Sequence, residues 1–471
     1  MIQYTGNPYV DCGVAVLELR LKKPCEQFTT ADLDAQAKEI KKEYTKKIWK
    51  SYLMLHLPNC AWTQKDQSSE KNQAYISKVL GSYKDDFPDL GRKCAFCDQP
   101  AKIWADKRYV PLLTGETVMT SGPGGNPGLP VCGYCVFAVH CYPFATLKVN
   151  GRPLFWWTPE PQWTRRLTGY FYRDVERVLA ISHDELPKLH WPATHLFRAA
   201  REVVAEVELI AATDPPTPCD LSGVHATNDG RNPNFDELRI PRNLLDFWRE
   251  AGALEIYRQI EQQAWESEGT PKEKSKQKDR KTKSEKKAPD PAIADLVRRN
   301  SLYEALGDAF RTPDFREKAK QVAARFFLRR RGKDVADGTT ALAEFFLEKV
   351  AGMERERLEA VRELADAIAD RLILEGGDRR VAWQLFRRRL RLGEFLRSLS
   401  QIQKKLSELG SPLKWETVLL ALGLSNEEDR TASDHWLVQE LVLIRLYERL
   451  AKTDVIADVP ELEDQPDLVT Q

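Results

Sequence analysis

Apolar residues recur at helical spacing over most of the chain, and the places where that spacing fails reveal its organisation. Leu33, Ala37, Ile40, Tyr44 and Ile48 fall every three or four positions, which predicts a helix with one buried face. Thr29 or Thr30 is placed to cap its start. An earlier helix is expected after Asp11. Seven aromatic residues (Phe155, Trp156, Trp157, Trp163, Tyr170, Phe171, Tyr172) crowd into residues 154–172. Such a cluster predicts core packing ahead of a base-stacking platform. Helical pattern runs on to about Ile210, breaks at Pro215, Pro216 and Pro218, gives way to a polar loop over 225–235, and returns with Leu244, Leu245, Trp248 and Leu254.

Residues 271–287 carry nine Lys or Arg, three acidic residues and no apolar one. A stretch of this kind buries nothing and is expected to be a linker. Beyond it the helical period returns in Val322, Phe326 and Phe327, in Leu342, Phe345 and Phe346, and in Val381, Leu385, Leu392, Phe395 and Leu399, predicting a helical bundle. The expected organisation is therefore an α+β N-terminal domain over 1–267, a basic linker over 268–290, an all-α bundle over 291–455 and an acidic tail over 456–471. A length of 471 residues fits more than one core.

Charge changes this picture little, because 71 Lys and Arg balance 70 Asp and Glu. Any affinity for a polyanion must come from local patches. No apolar run approaches the roughly 20 residues that cross a bilayer, and the first thirty residues lack a signal-peptide pattern, so the expectation is a cytoplasmic protein with no membrane partner. Nine cysteines are present, an odd number, and in a reducing compartment their pairing favours metal over disulfides.

Four of these cysteines carry the clearest chemistry. Cys94-Ala95-Phe96-Cys97 and Cys132-Gly133-Tyr134-Cys135 are two C-x-x-C knuckles, each able to present two thiolates to one ion. They flank a Gly- and Pro-rich loop at 121–128 inside a module spanning 91–145. Four thiolates fill a tetrahedral shell, which predicts structural Zn2+ and leaves no position for reactive water. His140 and Cys141 are the nearby reserve ligands. At the N-terminus, Thr5-Gly6-Asn7-Pro8-Tyr9-Val10-Asp11 reads on physics alone as a turn followed by a helix cap, with Asp11 able to cap. His183-Asp184 is the only hint of a metal-dependent phosphohydrolase, and neither a Walker-type loop nor a nucleophile elbow is present.

The order of these motifs resembles the CXXC-CXXC family of CRISPR-associated large subunits. The resemblance lies in residues 5–11, the two cysteine pairs with Gly128-Leu129-Pro130-Val131 before the second, and the loop His225-Ala226-Thr227-Asn228-Asp229-Gly230. Ala226 stands where that family has an aromatic residue. The resemblance implies a non-catalytic subunit of a type I, I-B-like Cascade complex. Guide RNA would read the target, and this chain would inspect the adjacent motif in double-stranded DNA and stabilise strand separation. Its implied partners are CRISPR guide RNA, target duplex, the backbone and small subunits, and a helicase-nuclease or transposition proteins. A C-terminal bundle resembling the small subunit is also implied, and Met353 is placed where an internal start would release it.

Within that expectation Asn7 and Asn228 are candidates for base or guide contact, since an amide both donates and accepts. Arg380, Arg387 and Arg391 fall at i, i+7 and i+11, which on one helix would span about 16 Å and follow phosphates. Arg329 and Arg330, with Arg325 and Arg331, form a second basic cluster. Each cluster reads more readily as a solvated helix face than as a phosphate contact. The competing functions are a metal-dependent nuclease and a stand-alone zinc-containing nucleic-acid binder.

Overall fold

The computed structural model describes residues 1–58, 60–66, 68–113, 128–182, 186–210, 216–227, 234–266, 291–328, 335–376, 378–386, 389–424, 434–451 and 453–455. Helices dominate, and the sheets are antiparallel, so the chain mixes helix and sheet as an α+β protein does. No helix among the described residues is long and apolar enough to cross a membrane.

Two compact units form, and they divide the chain differently from the expected 1–267 and 291–455. The first comprises Met1–Leu245 and Trp265–Phe310, and the second Asp246–Ala264 and Arg311–Gln471. Side-chain fit explains why 291–310 belongs to the first. The helix Ser301–Phe310 lies along Pro192–Ile210, where Gly307 leaves room for Ala193 and Phe197 stacks on Phe310. Glu304 accepts hydrogen bonds from the Thr194 amide and hydroxyl. Strands Trp265–Glu266 and Arg299–Asn300 pair, so the Lys-rich segment departs from and returns to the same unit. That segment itself lies outside the described residues, as does the acidic tail.

The first unit is built around the helix Pro8–Leu21, in which Tyr9 through Glu18 are all buried. A helix apolar on every side belongs inside a core, and this one packs against Pro161–Ile181 and Gly133–Val139. Thr29 caps the next helix, Thr30–Tyr44, in a capping box with Asp32. The predicted continuation to Ile48 breaks after Tyr44, and a separate helix, Lys47–His56, follows. The aromatic cluster is largely core: Phe155, Trp156, Trp163 and Phe171 are buried.

Both ends of the expected polar loop at 225–235 are strand, and 228–233 lie outside the described residues. Strands Leu147–Val149, Arg152–Trp157, Leu221–Thr227 and Asn234–Ile240 form an antiparallel sheet in that order, with Leu154 opposite His225 and Ala226 opposite Phe235. His225 is buried and shares a hydrogen bond with the Val149 carbonyl. A polar residue here therefore marks an interior strand, and only 228–233 lie between the strands.

In the second unit the helix His435–Leu450 is central, packed by Thr339–Lys349 and Arg355–Ala367. Ion pairs accompany the packing: Asp434 receives Arg357 at 2.8 Å and Lys320 at 2.8 Å, and Asp366 receives Arg445 at 2.7 Å. A π-helical stretch, Ile368–Leu374, continues the Arg355 helix and closes with the Glu375 amide donating to the Asp370 carbonyl.

Candidate metal centre

Cys94, Cys97, Cys132 and Cys135 converge, with all four sulfurs within 4.8 Å of one another. Sγ of Cys97 lies 3.4 Å from that of Cys132 and 3.5 Å from that of Cys135, and Cys94 lies 3.9 Å from Cys135. A disulfide would bring two sulfurs to about 2.05 Å. Four thiolates at about 2.3 Å around one ion stand roughly 3.8 Å apart, so the donor set and the spacing fit a tetrahedral cation.

Local backbone geometry makes the convergence possible. In the first knuckle the Cys94 amide donates to the Gln99 carbonyl, the Asp98 amide to the Cys94 carbonyl and the Phe96 amide to the Cys94 sulfur. Asp98 takes a φ of 61°, a left-handed position that a short polar side chain tolerates better than most. In the second, Cys132 caps the helix Gly133–Val139, its sulfur accepting from the Cys135 amide. Pairing of Ile103–Ala105 with Leu129–Val131, and the Ala95 amide donating to Pro130, bring the knuckles together. Glycine permits the approach at Gly133, where an added Cβ would sit 2.1 Å from the Ser82 carbonyl group.

Electrostatics point the same way. Hydrogen bonds with Cys132, Cys135 and Cys97 hold the Cys94 thiol below the ordinary cysteine range, while those with Cys132, Cys94 and Cys97 push Cys135 upward. Sulfurs this close cannot all ionise unless a cation lies among them. His140 and Cys141 stand apart from the cluster. The His140 ring engages the Val136 carbonyl at 2.8 Å and the Tyr75 hydroxyl at 3.1 Å, burial pushes it down to about 4, and the Cys141 thiol donates to the Phe137 carbonyl.

The N-terminal turn is tied to this module. The Met1 amine donates to Gln99 Oε1 at 3.1 Å, and the Gln99 side-chain amide donates back to the Met1 carbonyl. Gly13 meets Ala138 of the Cys132 helix so closely that an added Cβ would lie 1.8 Å from its carbonyl oxygen. Asn7, not Asp11, is the helix cap: its Oδ1 accepts from the Tyr9 and Val10 amides. Buried Asp11 instead grips the turn from behind, accepting from the Thr5 amide and hydroxyl, the Gly6 amide and Trp157 Nε1. An Asp four residues beyond a cap reads in sequence as an ordinary first-turn acid, so only its burial gives this role away.

The proposed arginine stripe does not exist as one helical face. Arg380 is exposed in the short helix Arg379–Trp383, and Arg391 is the exposed N-cap of a different helix, Leu392–Glu408. The period fails because Leu385 and Phe386 are buried in the turn between the two helices. Arg325 is exposed and lies over the Phe326 ring at 5.1 Å. Arg387, Arg329, Arg330, Arg331, Asn228, His183 and Asp184 lie outside the described residues. Met353 is buried in the second unit.

Compared with known proteins, the chain is matched by no family model, no curated protein and no solved structure.

Proposed function

We propose that the four cysteines hold one structural zinc ion and that the chain is the large, DNA-recognising subunit of an RNA-guided type I complex. The observation that carries this reading is the physical union of the two resembling motifs: the turn at Thr5, Gly6 and Asn7 is braced on one side by buried Asp11 and on the other, through Met1 and Gln99, by the first knuckle. A filled thiolate shell has no open position for chemistry, so the ion's work is to fix this surface. Cleavage or transposition would belong to proteins the complex recruits. With Oδ1 held by the helix, the Asn7 side chain keeps its Nδ2 amide for donation to a base edge or a phosphate.

The test is reconstitution of the complex, with and without this chain, on target duplexes that differ in the flanking motif. The reading expects motif dependence to vanish when the chain is omitted. Unchanged dependence would sink it. Tight, motif-independent binding by the isolated chain would favour the stand-alone binder, and DNA cleavage abolished by His183→Ala with Asp184→Ala would favour the nuclease.

A further inference from the structure

A second surface of the first unit combines flat side chains with unneutralised positive charge. The segment just before the helix Pro192–Ile210 is pinned to the tip of the sheet's first hairpin: the Asn150 amide donates to the Leu189 carbonyl, and the His190 ring shares a 2.8 Å hydrogen bond with Asn150 Oδ1. The next residue, Trp191, has a φ of 66°. A bulky residue in that region is uncommon and costs about 1–2 kcal/mol. The indole remains half-buried, with the His190 ring 6.4 Å away. Across from it the guanidinium of Arg299 lies 4.6 Å from the ring centroid while keeping 35% of its side chain exposed.

The hairpin and the segment bridged to it at Val149 and Leu189 carry further cations. Lys148 and Arg152 flank the hairpin tip, and Lys188 precedes the pinned segment; none of the three makes an ion pair with a described carboxylate. Arg299 pairs with Glu266 at 3.3 Å and its charge also reaches the Glu304 carboxylate. The neighbouring Arg298 lies over Trp265, but that indole packs on buried Tyr303 and serves the core. Trp191 sits instead at a strained, half-buried position just ahead of the helix.

Partly exposed guanidinium and indole planes beside lysines are what an unpaired polynucleotide recognises: bases stack on the accessible parts of the planes, and phosphates meet the cations. We propose that the surface formed by Asn150, His190, Trp191 and Arg299 binds single-stranded nucleic acid, one base stacking on the Arg299–Trp191 pair and adjacent phosphates pairing with Lys148 and Lys188. The proposal does not depend on the complex reading, because the isolated chain carries the whole surface.

Fluorescence anisotropy of the full chain with labelled fifteen-nucleotide dT and rU strands, and with a fifteen-base-pair duplex, tests it. Single strands bind more tightly than duplex, and Trp191→Ala or Arg299→Ala weakens them about tenfold, whereas Trp191→Phe retains most of the affinity. Lys188→Gln lowers the slope of log affinity against log salt by about 0.7. Binding of both sugars assigns the site to any unpaired strand, and binding of one alone names its ligand as RNA or DNA. Trp191→Gly relieves the strained φ, so thermal stability that is kept or raised while strand binding falls separates a binding role from a packing one. Duplex binding equal to single-strand binding, or single-strand affinity unchanged in both alanine variants, overturns the proposal.

Discussion

The first unit rests on groups that each have one acceptable arrangement, whereas the second rests on helix faces and ion pairs. In the first, four sulfurs converge, Gly13 and Gly133 touch backbone, Asp11 holds a turn, and His56, His140 and His195 are buried. It also carries one partly buried charge network, in which Asp295 receives both Arg177 and Arg198. In the second, the described core is largely Leu, Ala, Ile, Val and Phe, framed by Arg and Lys paired with Asp and Glu. One unit therefore has single points of failure, and the other spreads its stability over many similar contacts.

The largest expected difference between them comes from the proposed zinc site. Binding free energy at structural zinc sites is largely folding free energy, about 10–16 kcal/mol in small modules, which rivals the ~5–15 kcal/mol stability of a whole domain. Replacing Cys94 and Cys132 by serine should release about one equivalent of zinc and expose amides around 91–145 and Pro8–Leu21 to hydrogen exchange, while the helix His435–Leu450 keeps its protection. Metal retained by that double variant would overturn the zinc assignment.

Acid should separate the units next. Burial pushes His56 and His140 down to about 4 and His195 to about 3. Their folded values lie below the unfolded ~6.5, so their contribution is fully present above pH 6.5 and is lost as pH falls toward 4. At pH 5 each histidine costs roughly 2 kcal/mol, since the unfolded chain binds its proton more readily. In the second unit, hydrogen bonds and charge from Arg357 and Lys320 outweigh burial and hold Asp434 below its ordinary value. That contribution persists until pH falls below about 3.8. Hydrogen exchange followed from pH 7 to 4 should show the first unit opening first. Simultaneous opening would show that the histidines do not control it.

A smaller contrast lies in two glycines. Gly13→Ala forces a Cβ to 1.8 Å from the Ala138 carbonyl oxygen and should cost about 3 kcal/mol, because backbone cannot yield as a side-chain end can. Gly393, exposed at the start of the helix Leu392–Glu408, has nothing within 4 Å, and Gly393→Ala should stabilise by about 0.5–1 kcal/mol. Urea unfolding of each variant measures both.

What sequence revealed follows the same division. The cysteine pairs, the Thr29 cap and the aromatic core were legible because their chemistry is local or compositional. The sheet at 221–240 was not, since buried His225 and the turn-rich Asn228-Asp229-Gly230 look like loop until Leu154 is placed opposite. Helical period says that a face is buried but not which helix covers it. Ser301–Phe310 therefore read as part of the bundle, although Gly307 and Glu304 fit only Ala193 and Thr194. The arginine spacing assumed a continuous helix through 384–391, and buried Leu385 and Phe386 turn the chain there.

The finest contrast is between two helix caps, and it also bears on recognition. Asn7 satisfies two amides of the first unit's central helix, so Asn7→Ala should cost about 1 kcal/mol while Asn7→Ser, another good cap, costs only a few tenths. Arg391 caps its helix chiefly through its backbone amide, which donates to Glu394, so Arg391→Ala should change thermal stability little. Serine preserves the cap but removes the Nδ2 donor. An Asn7→Ser protein with normal stability that loses flanking-motif dependence in the assembled complex would assign that donor to DNA or guide RNA. Normal stability with normal motif dependence would leave Asn7 a helix cap alone and would count against the turn as the reading surface.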